Sequence, residues 1–166
     1  MTEPTTPDPQ LPAVHSPAAQ ADHQSPYHPQ AWIVGDPVIG GGTWIGAFTV
    51  IDGSGGLTIG SGCDISSGAH IYTHSSVRRC VSGRRFEQVE RRPVTIGDQV
   101  FVGANAVIMM GVTIGAQSVV AAGAVVSKDV APRTVVAGVP ATKISDVVFD
   151  DAGMPTFAKI LKGPSS

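Results

Sequence analysis

Aliphatic residues recur along this chain with a period of six. Ile33, Ile39, Ile45 and Ile51 are six apart. The series resumes after two extra residues at Ile59, Ile65 and Ile71, and after a long interruption it runs through Ile96, Val102, Ile108, Ile114, Val120 and Val126. The position after the aliphatic is often glycine (Gly40, Gly46, Gly60, Gly97, Gly103, Gly115), and the position four after it is small or apolar (Thr43, Thr49, Cys63, Ala69, Ala106, Val112, Ser118, Ala124). A period of six cannot hold one face of an α-helix, because at about 100° per residue each step turns the aliphatic by about 240°. In an extended segment, residues two apart share a face, so the aliphatic and the small residue four later both point inward. Glycine is expected to make the tight corner to the next segment. The pattern predicts an all-β, parallel solenoid whose thirteen hexads would make about four coils if three sides close each coil.

Composition fits a chain that turns often and still buries aliphatic side chains. It has 166 residues with 20 Gly, 5% aromatic and 42% hydrophobic residues, which argues against both a helical bundle and global disorder. No apolar run is long enough to span a bilayer, so no membrane association is expected. Pro4, Pro7, Pro9, Pro12, Pro17, Pro26 and Pro29 crowd the start, and residues 1–30 are predicted to be a largely disordered arm. The repeat domain then spans 31–141 with an interrupting loop at 74–93. In residues 142–166, Val147, Val148, Phe149, Phe157, Ile160 and Leu161 either cap the open end of the solenoid or belong to a tail. Cys63 and Cys80 make no disulfide framework, and Met1 to Gln20 lacks the basic and apolar regions of a secretion signal, so a cytoplasmic location is expected.

Charge changes the picture only locally. The formal net charge is -2, which gives no basis for a nucleic-acid partner. Yet Arg78, Arg79, Arg84, Arg85, Arg91 and Arg92, six of the 11 basic residues, sit in the loop after His70-Ile71-Tyr72-Thr73-His74. Either they form a solvated face partly neutralised by Glu87 and Glu90, or some of them meet phosphate.

The tract from Ile33 to Val126, its single loop and the closing Ala137-Gly138-Val139-Pro140-Ala141 together resemble the hexapeptide-repeat acyltransferases, in particular the maltose/galactoside-type and sugar-biosynthesis acetyltransferases. The resemblance implies a single-stranded, three-sided, left-handed parallel β-helix. The hand comes from it alone, since a right-handed crossover is the general preference. It also implies a homotrimer with sites between subunits, acetyl-coenzyme A as co-substrate, no metal, and O- or N-acetylation of a sugar or nucleotide-sugar acceptor.

The site residues are carried over position by position. The Ile-Tyr-Thr-His run resembles the family motif that places the general base at His74, and an imidazole is suited to take a proton from a hydroxyl or amine. Phe101-Val102-Gly103-Ala104 stands where the family presents a free main-chain N–H to the thioester carbonyl, which makes Ala104 N–H the candidate oxyanion donor beside Gly103. For the donor, Ala121 and Ala122 offer a groove of small residues, and Ser127, Lys128, Arg133 and Lys143 offer contacts to the coenzyme A phosphates. For the acceptor, Asp52, His70, Tyr72, Arg78 and Arg84 are the expected contacts, with Asp52 accepting from hydroxyls. An asparagine of the family pattern is replaced around Ala47-Phe48, and Asn105 reads as a left-handed corner residue. Two other functions share the solenoid. One is a metal-dependent hydratase of the γ-carbonic-anhydrase kind, which needs three protein ligands where the repeat region has only His70 and His74. The other is a non-catalytic trimeric module.

Overall fold

The structure is a computed structural model that describes residues 27–157. The proline-rich residues up to Pro26, including His15 and His23, and the terminal Ile160 and Leu161 lie outside the described residues. Short strands wind into a three-sided parallel solenoid of about five turns. One face stacks Trp32–Val34, Val50–Asp52, His70–Ile71, Val107–Ile108 and Val125–Val126. The second stacks Val38–Ile39, Leu57–Ile59, Val94–Ile96 and Thr113–Ile114. The third stacks Trp44–Ile45, Asp64–Ile65, Phe101–Val102, Val119–Val120 and Thr134–Gly138, and then Ala141–Asp146 pairs antiparallel with the last of these.

The register shows why six is the period. Ile33 stands on Ile51, Ile51 on Ile71, Ile71 on Ile108 and Ile108 on Val126, so each aliphatic rests on its counterpart one coil away. Nearly all of these side chains are buried, as are Thr43, Thr49, Cys63, Ala69, Ala106, Val112, Ser118 and Ala124. Each buried isoleucine contributes about 1.5–3 kcal/mol. The turns exceed the four or so coils read from the sequence because Tyr27 bridges Ile45, Val130 bridges Ile114, and Val136 stands on Val120. Tyr27 lies six residues before Ile33, on phase, so backbone pairing begins inside the span predicted as an arm. Val130 and Val136 follow a four-residue step that breaks the period. Beyond the solenoid, Val147 is buried, and Val148–Phe149 pairs antiparallel with Pro155–Thr156 over the third face.

The glycines do different work from that expected. None of those following a phased aliphatic has a positive φ. They are needed for close approach instead: a Cβ on Gly46 would come 2.8 Å from Ser67 N of the next coil, and one on Gly97 would come 2.7 Å from Ala116 N. The left-handed corner lies two residues later, at Gly42, Phe48, Gly62, Gly68, Gln99, Asn105, Gly111, Gln117 and Gly123. Phe48, with φ 59° and its side chain exposed, is the costly member of that set.

These two kinds of corner position predict opposite mutational signs. Gly46→Ala should lower unfolding stability by about 2 kcal/mol, as expected for backbone forced apart. Phe48→Asn should raise it by about 1 kcal/mol, since asparagine tolerates the left-handed region. Urea unfolding of the two variants checks both.

Candidate active site

The corner between the first and second faces is where the repeat is lengthened twice. The first insertion is the two extra residues between Ile51 and Ile59, which form the turn Asp52-Gly53-Ser54-Gly55-Gly56. The second is the long loop, which leaves the next coil directly above that turn. Gly55 N donates to Thr73 Oγ1 at 2.8 Å, and a Cβ on Gly55 would collide with the Thr73 carbonyl, so the two departures from the repeat are fastened to each other. At the base of the loop His74–Ser75 pairs antiparallel with Glu90–Arg91, and the helix Val77–Val81 follows.

This fastening places Asp52 beneath His74. Asp52 is 2% exposed, and its Oδ2 lies 2.6 Å from His74 Nδ1. Thr73 donates to the same oxygen from its N–H and its hydroxyl, each at 2.9 Å, and Ser54 N donates to Oδ1 at 2.9 Å. Burial alone would raise the Asp52 pKa. The hydrogen bonds from Ser54, Thr73 and His74 outweigh it and hold the carboxyl well below the usual carboxylate range. A carboxylate so held accepts the Nδ1 proton, which leaves Nε2 with its lone pair free. The His74 side chain is 42% exposed, and Nε2 has no hydrogen-bond partner among the described residues. Asp52 was expected to accept from a substrate hydroxyl. Buried and turned onto His74, it is placed to orient the imidazole instead.

His70, in the strand His70–Ile71, and Tyr72, just past its end, lie side by side. The Tyr72 hydroxyl lies 3.2 Å from His70 Nδ1, and the Tyr72 ring meets His70 and His74 edge to face at 5.7 and 6.4 Å between centroids. The three make one polar and aromatic wall. Among the described residues no group of three or more His, Cys, Asp or Glu comes together as metal ligands. No helix among them is long and apolar enough to cross a membrane.

The expected donor residues fall into three groups. Gly103, Ala104, Ala121 and Ala122 stack on the corner between the third and first faces, where Gly123 N donates to Ala104 O at 2.8 Å. A Cβ on Gly103 would strike Ala122 N, and the Ala104 N–H makes no hydrogen bond among the described residues. Ser127 and Lys128 lie on the same edge as His74, two coils on. With Thr134, Thr142 and Lys143 they line a cavity of about 420 Å³ at the closing end, where Lys143 Nζ meets Asp146 Oδ1 at 2.6 Å. Arg133 and Phe101 belong elsewhere. Arg133 donates to Gln117 Oε1 at 2.8 Å and lies over Phe149 on the remaining corner. Phe101 joins Val119, Val147, Phe149 and Phe157 around an apolar cavity of about 290 Å³. Neither stands with Lys128.

His74 and Ala104 do not converge within one chain. His70 and Val107 are register partners, His74 lies four residues past one and Ala104 three residues before the other, so the pair is on the order of 20 Å apart across the first face. In the loop, Arg78 is paired with Glu90 at 3.4 Å and stacked over Phe86, whereas Arg84 lines a cavity together with Arg79, which had not been singled out. The partnership of Asp52 with His74 was also not foreseen. Its signal was the two-residue expansion that sets Asp52 under the loop.

A family model described as the hexapeptide repeat of succinyl-transferase matches residues 93–128. A solved structure of a hexapeptide-repeat-containing acetyltransferase from Vibrio cholerae, complexed with acetyl coenzyme A, is 34% identical, with a TM-score of 0.63 over 73% of this chain and 70% of that one. A 2,3,4,5-tetrahydropyridine-2,6-dicarboxylate N-acetyltransferase of Halalkalibacterium halodurans is 47% identical over 54% of this chain and 33% of its own length. The galactoside O-acetyltransferase of Escherichia coli is 36% identical over 55% of this chain and 48% of its own length. The chain spans between about a quarter and a half of the length of the curated relatives it matches.

The Asp52 arrangement has a consequence for stability. A carboxyl whose pKa is depressed on folding contributes stability above its unfolded value, about 3.9, and loses that contribution as pH falls. The stability gap between the wild type and Asp52→Asn should therefore shrink as pH is lowered from about 5 to about 2. Urea titrations across that range read it directly.

Proposed function

This chain belongs to the hexapeptide-repeat acyltransferases and shares their left-handed parallel β-helix, and from that premise we propose that it transfers an acetyl group from acetyl-coenzyme A to a hydroxyl or amine of a small acceptor of the sugar or nucleotide-sugar kind. The observation that carries the reading is the 2.6 Å contact of His74 Nδ1 with the buried Asp52 carboxylate, which leaves Nε2 without a partner and with its lone pair free.

In this reading His74 Nε2 takes the acceptor's proton as its oxygen or nitrogen attacks the thioester carbonyl, and Asp52 stabilises the imidazolium that forms. Acetyl-coenzyme A supplies the activated acyl group, so no covalent enzyme intermediate is needed. The free Ala104 N–H donates to the oxyanion that develops on the carbonyl. The imidazolium then returns its proton to the departing thiolate or to solvent. The corner of Gly103, Ala104, Ala121 and Ala122 suits an extended pantetheine arm, because a Cβ built at Gly123 meets nothing within 4 Å. Ser127, Lys128 and Lys143 would meet phosphates at the closing end.

Because His74 and Ala104 occupy opposite edges of the first face, this chemistry needs a second copy to supply the donor corner. The outward residues support such an assembly. Apart from His70 and Asp64, the first and third faces present Trp32, Val50, Val107 and Val125, and Trp44, Phe101 and Val119, while the second presents Val38 followed by Thr58, Thr95 and Thr113. A trimer packed through the two apolar faces would leave the threonine face in water. The chain is read as working in the cytoplasm, where acetyl-coenzyme A is made.

His74→Ala should lower kcat by about 10²–10⁴-fold, the usual worth of a general base, with the oligomer intact. Release of free thiol from acetyl-coenzyme A measures it. A variant that keeps its trimer and its rate would remove His74 from the mechanism.

A further inference from the structure

The loop contains a cavity with no part in the transfer described above. It has a volume of about 430 Å³ and is lined by Ser76, Arg79, Cys80, Gly83 and Arg84. The local chain makes its shape. The helix Val77–Val81 ends on two successive left-handed residues, Gly83 at φ 62° and Arg84 at φ 65°, and Arg84 N donates back to Arg79 O at 2.9 Å. This single turn brings both arginines to one rim.

Two of the loop's other arginines are committed elsewhere through their side chains. Arg78 is paired with Glu90 and stacked 4.2 Å over Phe86, and Arg85 Nε donates to Ser82 O at 3.0 Å. Arg91 and Arg92 are anchored through their main chain, in the short ladder opposite His74 and by Arg92 N on Thr73 O, and neither lines the cavity. The Arg79 and Arg84 side chains make no hydrogen bond or ion pair among the described residues, although Arg79 is half-buried, and no acidic residue lines the cavity. Two guanidinium groups converging without an acceptor repel each other. Their planar forks match the paired oxygens of a carboxylate or phosphate.

We infer that this cavity holds an oxyanion, carboxylate or phosphate, carried by the acceptor, so that the acceptor is an anionic molecule rather than a neutral sugar. The assignment to the acceptor rests on the reading of His74 as the base. Ser76 in the cavity wall is two residues from His74, about 7 Å along extended backbone, which is within the reach of one small molecule. The anion in the cavity and the nucleophile at His74 Nε2 belong to the same acceptor.

The cavity carries its own reporter. Cys80 is exposed on its wall, whereas Cys63 is buried with its thiol pKa raised by burial and its Sγ 3.1 Å from Gly97 O. The neutral reagent iodoacetamide should therefore alkylate Cys80 alone. In the full chain, inorganic phosphate or succinate is expected to slow that alkylation several-fold, and Arg79→Gln or Arg84→Gln to abolish the slowing, with Arg→Lys at either position restoring part of it. Protection by only one of the two anions supports the inference and names the oxyanion. Protection by neither overturns it. Slowing by coenzyme A where dephospho-coenzyme A has no effect would give the cavity to the donor's phosphate and overturn the acceptor assignment. In turnover, the ratio of kcat/KM for a carboxylated acceptor over its neutral counterpart should fall at least about tenfold in Arg84→Gln, one charge-assisted contact being worth about that; an unchanged ratio contradicts the inference. Because alkylation needs no turnover, protection in an active-site variant tests the anion site apart from the base. An active His74 with an unprotected Cys80 would sink the anion site alone.

Discussion

Successive coils of this protein lie one strand spacing apart, and the rest of the structure follows from keeping that distance through about five turns. Main-chain pairing between coils requires the residue after each inward aliphatic to have no side chain where the next coil's backbone passes, which is why a Cβ at Gly46 or Gly97 would fall within 3 Å of a neighbouring nitrogen. The same spacing sets isoleucine on isoleucine through the interior. It also makes the outside of the molecule a set of columns. A residue's function depends on which of the three corners it occupies, and departures from the repeat add side chains that the regular corners lack.

The two insertions into the repeat lie on one corner. The expanded turn at Asp52–Gly56 and the loop after Thr73 are held together by Gly55 N on Thr73 Oγ1 and by Thr73 on Asp52, so a buried carboxylate stands under an exposed imidazole. Thr73 is therefore as much a part of the arrangement as the two residues it joins. The loop above sorts its arginines by geometry: some hold it in shape, and two face an open cavity with no acid near them. A base on one edge of the first face and a free N–H on the other make the single chain only half of the proposed machinery. The apolar rows on two of the three faces are consistent with the second half coming from another copy.

The inward ladder, the three-sided coil and the inserted loop were legible in the sequence because strand geometry repeats every six residues and states its own phase. His74, at the start of the loop, stood out through the resemblance of the Ile-Tyr-Thr-His run to the family motif and not through the period. The role of the phased glycines was not legible, since nothing in one hexad reveals that the next coil's backbone presses on it, nor that the left-handed corner falls two residues later on Phe48, Gln99 or Asn105. Asp52 looked like a surface acceptor because its partner lies 22 positions away across an expansion and an insertion. Arg133 looked like a neighbour of Lys128 because they are close in sequence, yet a corner separates them. Arg79 and Arg78 are adjacent, and only the fold shows which of them is spoken for.

The central claim is that Asp52 fixes the tautomer of His74 and so leaves Nε2 as the base. Long-range ¹H–¹⁵N correlation spectra of the imidazole, recorded at a pH where the ring is neutral, test this most directly. The account predicts that His74 carries its proton on Nδ1, with an unprotonated Nε2, and that Asp52→Asn disturbs this preference. A His74 ring protonated on Nε2 in the wild type would contradict it.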